Sequence, residues 1–119
     1  YLALFDAADP NVSVATRQPT TTPTQALYLM NSPFIHEQAK GFANRIAVVT
    51  GDDYAKVRWA FETAYGRVPE NDLVQEAVAF VSTYRKQQPD QISRSELEIA
   101  GWSALARVLL TSNAFLFVD

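Results

Sequence analysis

The sequence predicts an all-α fold: a compact bundle of about five helices, preceded by an extended, irregular N-terminal strap. From about residue 22 onward, apolar residues recur at the spacing of one helix face. Capping residues or prolines precede these stretches, and no two strand-like runs are joined by a hairpin turn. Because a chain of 119 residues is the size of one domain, we expect a single helical domain over 1–119, with the strap at 1–21 and the bundle at 22–119.

The strap, residues 1–21, has no helical period. It contains a turn-forming cluster of Asp6, Asp9, Pro10 and Asn11, and a threonine-rich run follows at 18–23. We therefore predict an extended segment that lies across the surface of the bundle.

The first two predicted helices each begin with a hydroxyl residue followed by proline. Thr22 and Pro23 open a short helix that should run to about residue 31, and Ser32 and Pro33 open the second. Gly51 is predicted to end the second helix in the left-handed conformation. The buried face of the second helix should consist of Ile35, Ala39, Phe42, Ile46 and Val49.

The third helix is predicted to begin at a cap, Asp52 or Asp53, and to end at Gly66. Pro69 is predicted to open the fourth helix, which should end near Lys86. The buried faces should consist of Tyr54, Val57, Phe61 and Ala64 in the third helix, and of Leu73, Ala77, Phe80, Val81 and Tyr84 in the fourth.

The fifth helix is predicted to be the centre of the core, because it is apolar on nearly all sides. Ser93 and Glu96 form a capping box, and the helix should run to about Ser112. Gly101 lowers helix propensity relative to alanine, which is acceptable where a neighbouring helix approaches closely. Asn113 is expected to take a left-handed cap, so that the aromatic tail at 115–117 folds back on the bundle.

Composition excludes several classes of site. A formal charge of -3, a pI near 5.0 and scattered basic residues offer no surface for a phosphate backbone, so we expect no nucleic-acid partner. The chain has no cysteine and only one histidine, His36, so it has no thiolate site and no site with several imidazole ligands. The most apolar stretch, near the C-terminus, is broken by Arg107, Ser112 and Asn113, which predicts no membrane span.

Several ordered motifs occur along nearly the whole chain. They are the runs at 5–17 (FDAADPNVSVATR), 20–27 (TTTPTQAL), 65–69 (YGRVP) and 109–119 (LLTSNAFLFVD), together with Asn31 and Pro33-Phe34. These motifs resemble the C-terminal end of the planctomycete-type domain of unknown function that follows a cytochrome c-like region in large exported proteins. Two positions depart from the family pattern: Glu70 stands where a Thr or Ser cap is usual, and Ala114 where an acidic residue is common.

The resemblance implies a cellular context and no particular reaction. It implies that this chain is the C-terminal part of a larger exported protein, periplasmic or at the cell surface, whose upstream domains are its partners. It also implies that the parent protein carries a c-type haem elsewhere. With no cysteine, these residues cannot bind that haem covalently, and we expect no cofactor in this chain.

Candidate binding residues lie in the strap, and no catalytic constellation is present in the sequence. Asp6 and Asp9 could bind a hard cation, but they lack the glycine turn and distal Glu of a calcium loop, so we interpret them as turn residues. Thr20 and Thr21 precede a helix start, where an anion could bind, but capping and an extended strap explain the same residues, and we favour that interpretation. Arg17 either pairs with Asp6 or Asp9 and so fixes the strap, which is the interpretation we favour, or it points outward to an acidic ligand or an upstream domain.

Three hypotheses about function follow. The chain is a structural interaction module that docks on upstream domains through the strap, or part of an enzyme, polysaccharide-related or redox, whose active site lies upstream. The third alternative is a carbohydrate-binding module whose shallow groove is floored by Trp59 or Trp102. His36 and the other aromatic residues, Tyr28 and Tyr54, are interpreted as surface or packing residues.

Overall fold

The computed structural model describes the backbone of residues 28–29 and 31–118, and side chains up to residue 112. Within these residues there are four helices and no strands: α1 (Pro33–Ala47), α2 (Asp53–Tyr65), α3 (Asn71–Lys86) and α4 (Arg94–Val118). The all-α prediction is confirmed. The expected count of five is one too many for the described part, because the first predicted helix lies outside it except at residues 28 and 29, which are helical. The strap, residues 1–21, also lies outside it.

The predicted caps form at three helix starts. Ser32 Oγ accepts a hydrogen bond from the N–H of Ile35 (3.2 Å), and Asp52 Oδ1 accepts one from the N–H of Ala55 (3.0 Å). The capping box before α4 is complete: Ser93 Oγ accepts from the N–H of Glu96 at 3.1 Å, and Glu96 Oε1 accepts from the N–H of Ser93 at 3.2 Å. Each bond satisfies a backbone donor that has no partner inside its helix, so local sequence alone determines where these helices begin.

Two predicted boundaries of helices are wrong. The predicted stop at Gly51 lies four residues beyond the last residue of α1, Ala47, since the β-branched run at 48–50 is unfavourable in a helix. Gly51 itself has a φ of 124° in the connection that follows. The fourth helix begins at Asn71 and not at Pro69, because Val68 has no side-chain oxygen to cap a helix that starts with proline.

The predicted end of the last helix is also wrong. α4 continues through Asn113 to Val118, and no residue other than glycine has a positive φ in the described part of the chain. The preference of asparagine for the left-handed conformation is weak, and neither glycine nor proline occurs after Gly101 to stop the helix. The backbone at 115–117 therefore belongs to α4 and does not form a separate tail.

The core is centred on α4, as predicted. This helix contacts α1, α2 and α3, and its most extensive contact is with α1. Trp102, Leu105 and Leu109 are almost completely buried. The neighbouring helices contribute Ala39, Phe42, Ala43, Ile46, Val57, Ala60, Phe61, Val74, Ala77, Phe80 and Val81 to the same cluster.

Gly101 is the point of close approach in α4. A Cβ atom at this position would lie 2.9 Å from Cζ and 3.0 Å from Nη2 of Arg85 on α3. The neighbour that approaches Gly101 is thus an arginine side chain, which lies against the backbone of α4.

Candidate functional site

The binding residues proposed from the sequence, Asp6, Asp9, Arg17, Thr20 and Thr21, all lie outside the described residues. Their roles therefore remain predictions. The described part of the chain offers other features, which are a groove at one helix corner, a second groove between α1 and α2, and a basic cluster across three helices.

The corner between α2 and α3 forms a groove of about 360 Å³. It is lined by apolar and aromatic residues with two charges among them, namely Phe61, Tyr65, Arg67, Val68, Pro69, Glu70 and Leu73. Val68 is 71% exposed, and Leu73 is partly buried against the core. The corner therefore presents an apolar contact surface with one basic and one acidic residue beside it.

Local sequence fixes the shape of this corner. Gly66 ends α2 in the left-handed conformation, with a φ of 76°, which a residue with a Cβ rarely adopts. Pro69 cannot donate a backbone hydrogen bond, and α3 begins two residues later. The side chain of Tyr65 donates a hydrogen bond to the carbonyl of Leu109 at 3.3 Å, which joins the corner to α4. Val68 thus lies on a short, braced connection and remains exposed.

A second groove, of about 430 Å³, is lined by residues of α1, α2 and α4. Its lining includes Phe42, Arg45 and Leu110, and it passes Gly41, where an added Cβ would meet no atom within 4 Å. The guanidinium of Arg45 lies over the rings of Phe42 and Trp59, at 5.8 and 5.5 Å from their centroids.

These contacts contradict the idea of a sugar-binding surface floored by Trp102. Trp102 is fully buried, and Arg85 lies over its ring at 4.7 Å from the centroid. Trp59 is only partly exposed, and Arg45 already covers its ring. A sugar would need an open aromatic face, and each tryptophan ring carries an arginine instead.

A basic cluster joins α1, α3 and α4. Arg107 Nη2 donates a hydrogen bond to the hydroxyl of Tyr84 at 3.3 Å, and Arg107 Nη1 lies 3.5 Å from Nε2 of His36. Arg107 Nε is buried and has no hydrogen-bond partner. Among the described side chains the only ion pair is Arg85 with Asp53 (3.4 Å), so no described carboxylate neutralises Arg107. Sequence reasoning missed this cluster, although Arg107 interrupts an otherwise apolar stretch.

Comparison with known families shows which family the chain belongs to. The model of the family PSD1, described as "Protein of unknown function (DUF1553)", matches residues 1–81 of the 119. The chain belongs to the DUF1553 family. No curated protein and no solved structure gave a significant match.

The matched range shows which parts of this DUF1553 chain the family model covers. Residues 1–81 include the strap, α1, α2, the helix corner and most of α3. The corner groove therefore lies within the matched range, whereas Arg107 and the rest of α4 lie beyond it. The family resemblance drawn from the sequence motifs is confirmed.

No group of three or more His, Cys, Asp or Glu side chains in the described part lies close enough together to hold a metal ion. None of the described helices is both long and apolar enough to cross a bilayer.

Proposed function

We propose that this DUF1553 chain is an interaction module that docks on the preceding part of its own polypeptide through the corner groove. The observation that carries the proposal is the 71% exposure of Val68 beside a groove lined by Phe61 and Leu73. Val68 is an apolar side chain exposed to water on a braced connection. When a partner covers such a side chain, the free energy of the system falls.

The size and charge of the groove specify the chemistry of the occupant. Its volume of about 360 Å³ lies at the small end of ligand pockets, which suits a few side chains of a peptide segment. Arg67 and Glu70 lie among the lining residues, so a segment with an apolar residue next to charges of opposite sign would complement both. We propose that this segment belongs to the polypeptide upstream of the chain, with the strap as the joint between them.

The family resemblance supports the cellular setting of this proposal. Domains of this type follow a cytochrome c-like region in large exported proteins, and we propose the same arrangement here. In that arrangement the haem is bound by the upstream region, and this chain supplies a docking surface.

The test is a calorimetric titration of this chain against the separately expressed upstream portion of its polypeptide. Val68→Asp would place a charge in the proposed interface, and we expect the binding constant to fall at least about tenfold, because taking a carboxylate out of water into an apolar contact is costly. Val48→Asp is the matched control: Val48 is another exposed valine, at 81%, in the α1–α2 connection.

Each outcome of the titration has a distinct meaning. Binding that Val68→Asp weakens and Val48→Asp leaves unchanged would support docking through the corner. Equal effects of the two substitutions would indicate that the interface lies elsewhere on the chain. An absence of binding between two stably folded pieces would contradict the docking function. Self-association of the chain that Val68→Asp abolishes would identify a second copy as the occupant instead.

A further inference from the structure

The second groove, lined by residues of α1, α2 and α4, carries a positive charge beside an apolar surface. Arg45 is the one charged side chain among its described lining residues, and it is exposed. Gln38 and Thr63 are exposed polar lining residues, while Phe42 and Leu110 form the apolar part. In the corner groove, by contrast, one basic and one acidic residue offset each other. The two grooves therefore suit occupants of different charge.

The guanidinium of Arg45 is held in place by two aromatic rings. It lies over Phe42 and Trp59, at 5.8 and 5.5 Å from the ring centroids. The two rings also pack on each other, with their centroids 6.0 Å apart, and Phe42 belongs to the core cluster. Because this packing already restricts Arg45, a partner that binds it removes less side-chain freedom than it would from a mobile arginine.

The carbonyl groups at the end of α1 are bonded by a different cation. Arg45 lies in the last turn of α1, where a basic side chain often bonds the last carbonyls. Here the bond is made by Lys56 of α2, which is buried and donates from Nζ to the carbonyl of Ala47 at 2.6 Å. The Arg45 side chain instead lies against the rings and lines the groove.

The contact with the rings leaves Arg45 able to bind a carboxylate. The rings attract its positive charge, and this attraction requires none of the N–H donors. Two parallel N–H groups in the guanidinium plane match the two oxygens of a carboxylate. Next to this charge, an added Cβ at Gly41 would meet no atom within 4 Å, so an aliphatic group can lie there against the backbone of α1.

We propose that this groove binds a segment of a partner protein that has an acidic residue directly followed by an apolar one. The carboxylate pairs with Arg45, and the apolar side chain lies over Gly41 beside Phe42 and Leu110. The volume of about 430 Å³ accommodates a few side chains. An arginine and aromatic residues surrounded by polar ones are typical of protein interfaces.

This inference goes beyond docking through the corner. The described lining residues of the two grooves have no member in common, so the second groove is a separate contact surface. Its occupant is acidic, whereas the segment proposed for the corner carries charges of both signs.

The experiment is an NMR titration of the whole chain with three capped hexapeptides at constant ionic strength. Each peptide has glycine and serine at its ends and a central Glu-Leu, Gln-Leu or Lys-Leu pair. We expect the Glu-Leu peptide to shift the amide resonances of Gly41 and Thr63 and the Nε–Hε resonance of Arg45. The Gln-Leu peptide should bind about three- to fivefold more weakly, which is the range for an exposed ion pair, and the Lys-Leu peptide more weakly still.

Three variants assign this preference to one side chain. In Arg45→Gln, the Glu-Leu and Gln-Leu peptides should bind equally. Arg45→Lys keeps the charge without the planar fork, so it should retain only part of the preference. Arg58→Gln is the matched control, because Arg58 is exposed on α2 and does not line the groove, and it should retain the full preference. The comparison of the peptides itself uses the unaltered chain and does not depend on the folding of any variant.

Several outcomes would overturn the proposal. They are equal binding of the Glu-Leu and Gln-Leu peptides by the unaltered chain, an absence of shifts at the groove with millimolar peptide, and shifts at Arg67 and Val68 alone. Isovalerate carries a carboxylate and a branched aliphatic group without a peptide backbone. If it binds as tightly as the Glu-Leu peptide, the occupant is a small organic acid and the assignment of a protein partner is wrong.

The result is separable from the test of the corner. Val68→Asp changes a residue outside this groove, so it should leave the peptide titration unchanged. Failure of docking through the corner therefore leaves this proposal intact, and failure of the peptides to bind leaves the corner proposal intact.

Discussion

At the scale of single residues, Arg85 shows how one side chain can join three helices. Its guanidinium bonds Asp53 of α2 at 3.4 Å and the carbonyl of Glu98 on α4 at 3.1 Å. It also lies over the ring of Trp102 and against the backbone at Gly101. The ion pair itself contributes little because Asp53 is half-exposed, so the stacking and the bond to the carbonyl are the larger contributions.

This arrangement makes the effect of Gly101→Ala dependent on Arg85. Alanine gains about 1 kcal/mol of helix propensity over glycine. In the unaltered chain, the new Cβ would displace the guanidinium from Trp102 and Glu98, so we expect no net gain in the free energy of unfolding. In an Arg85→Ala chain, where the obstruction is gone, the same substitution should stabilise by about 1 kcal/mol, as measured by urea unfolding. Equal effects in both chains would contradict the close approach.

The sequence indicated the close approach at Gly101 but not its partner. A glycine among alanines in an apolar helix predicts that another group comes near. Which group it is depends on the register between α3 and α4, and no local pattern specifies that register. For the same reason Arg107 was visible only as an interruption of an apolar stretch, while its contacts with Tyr84 and His36 required the structure.

At the scale of secondary-structure elements, the two caps of α3 and α4 differ in strength. α4 has a complete capping box, whereas Glu70, the N-cap residue of α3, makes no side-chain hydrogen bond to the helix. Glu70 nevertheless has the extended backbone, with φ -72° and ψ 152°, that an N-cap requires. The backbone at the start of α3 therefore has the N-cap conformation, but the Glu70 side chain accepts no hydrogen bond from the N–H groups of the first turn.

We expect opposite effects from substitution at these two caps. Glu70→Asp keeps the charge and brings a carboxylate within reach of the free N–H groups, so it should raise the free energy of unfolding by about 0.5–1 kcal/mol. Ser93→Ala should lower it by about 1 kcal/mol. Chemical denaturation monitored by circular dichroism measures both. A destabilising Glu70→Asp would mean that Glu70 already has a favourable contact in its present position.

Starts of helices were predicted better than ends. A start depends on a cap that the sequence displays, as at Ser32, Asp52 and Ser93. An end depends on a balance between continued packing and weak local preferences. That balance is why Asn113 did not stop α4 and why the β-branched run ended α1 before Gly51.

At the scale of the whole molecule, the bundle uses both of its tryptophans for internal packing. Both tryptophans are covered by arginines, and the most exposed large apolar side chains lie outside the core. One of them, Val68, adjoins a groove within the range that the family model matches. A surface of this kind is suited to contact with another segment of protein.

The candidate site could be foreseen only in part. The motif at 65–69 was recognised as a family feature, and Gly66 was correctly predicted to end a helix. That Val68 remains exposed depends on where α3 begins and on the bond from Tyr65 to α4, which are properties of the folded bundle.

The docking function is tested most directly by amide hydrogen exchange at residues 66–68 and 70–73, measured in this chain alone and in the longer polypeptide that we propose contains it. If the corner docks on an upstream segment, the amides of Arg67 and Val68 should exchange at least about tenfold more slowly in the longer polypeptide, because the partner excludes water from them. The amides at 48–52, in the α1–α2 connection, should exchange at the same rate in both. Equal rates at the corner in the two proteins would contradict the proposal that this groove is a docking surface.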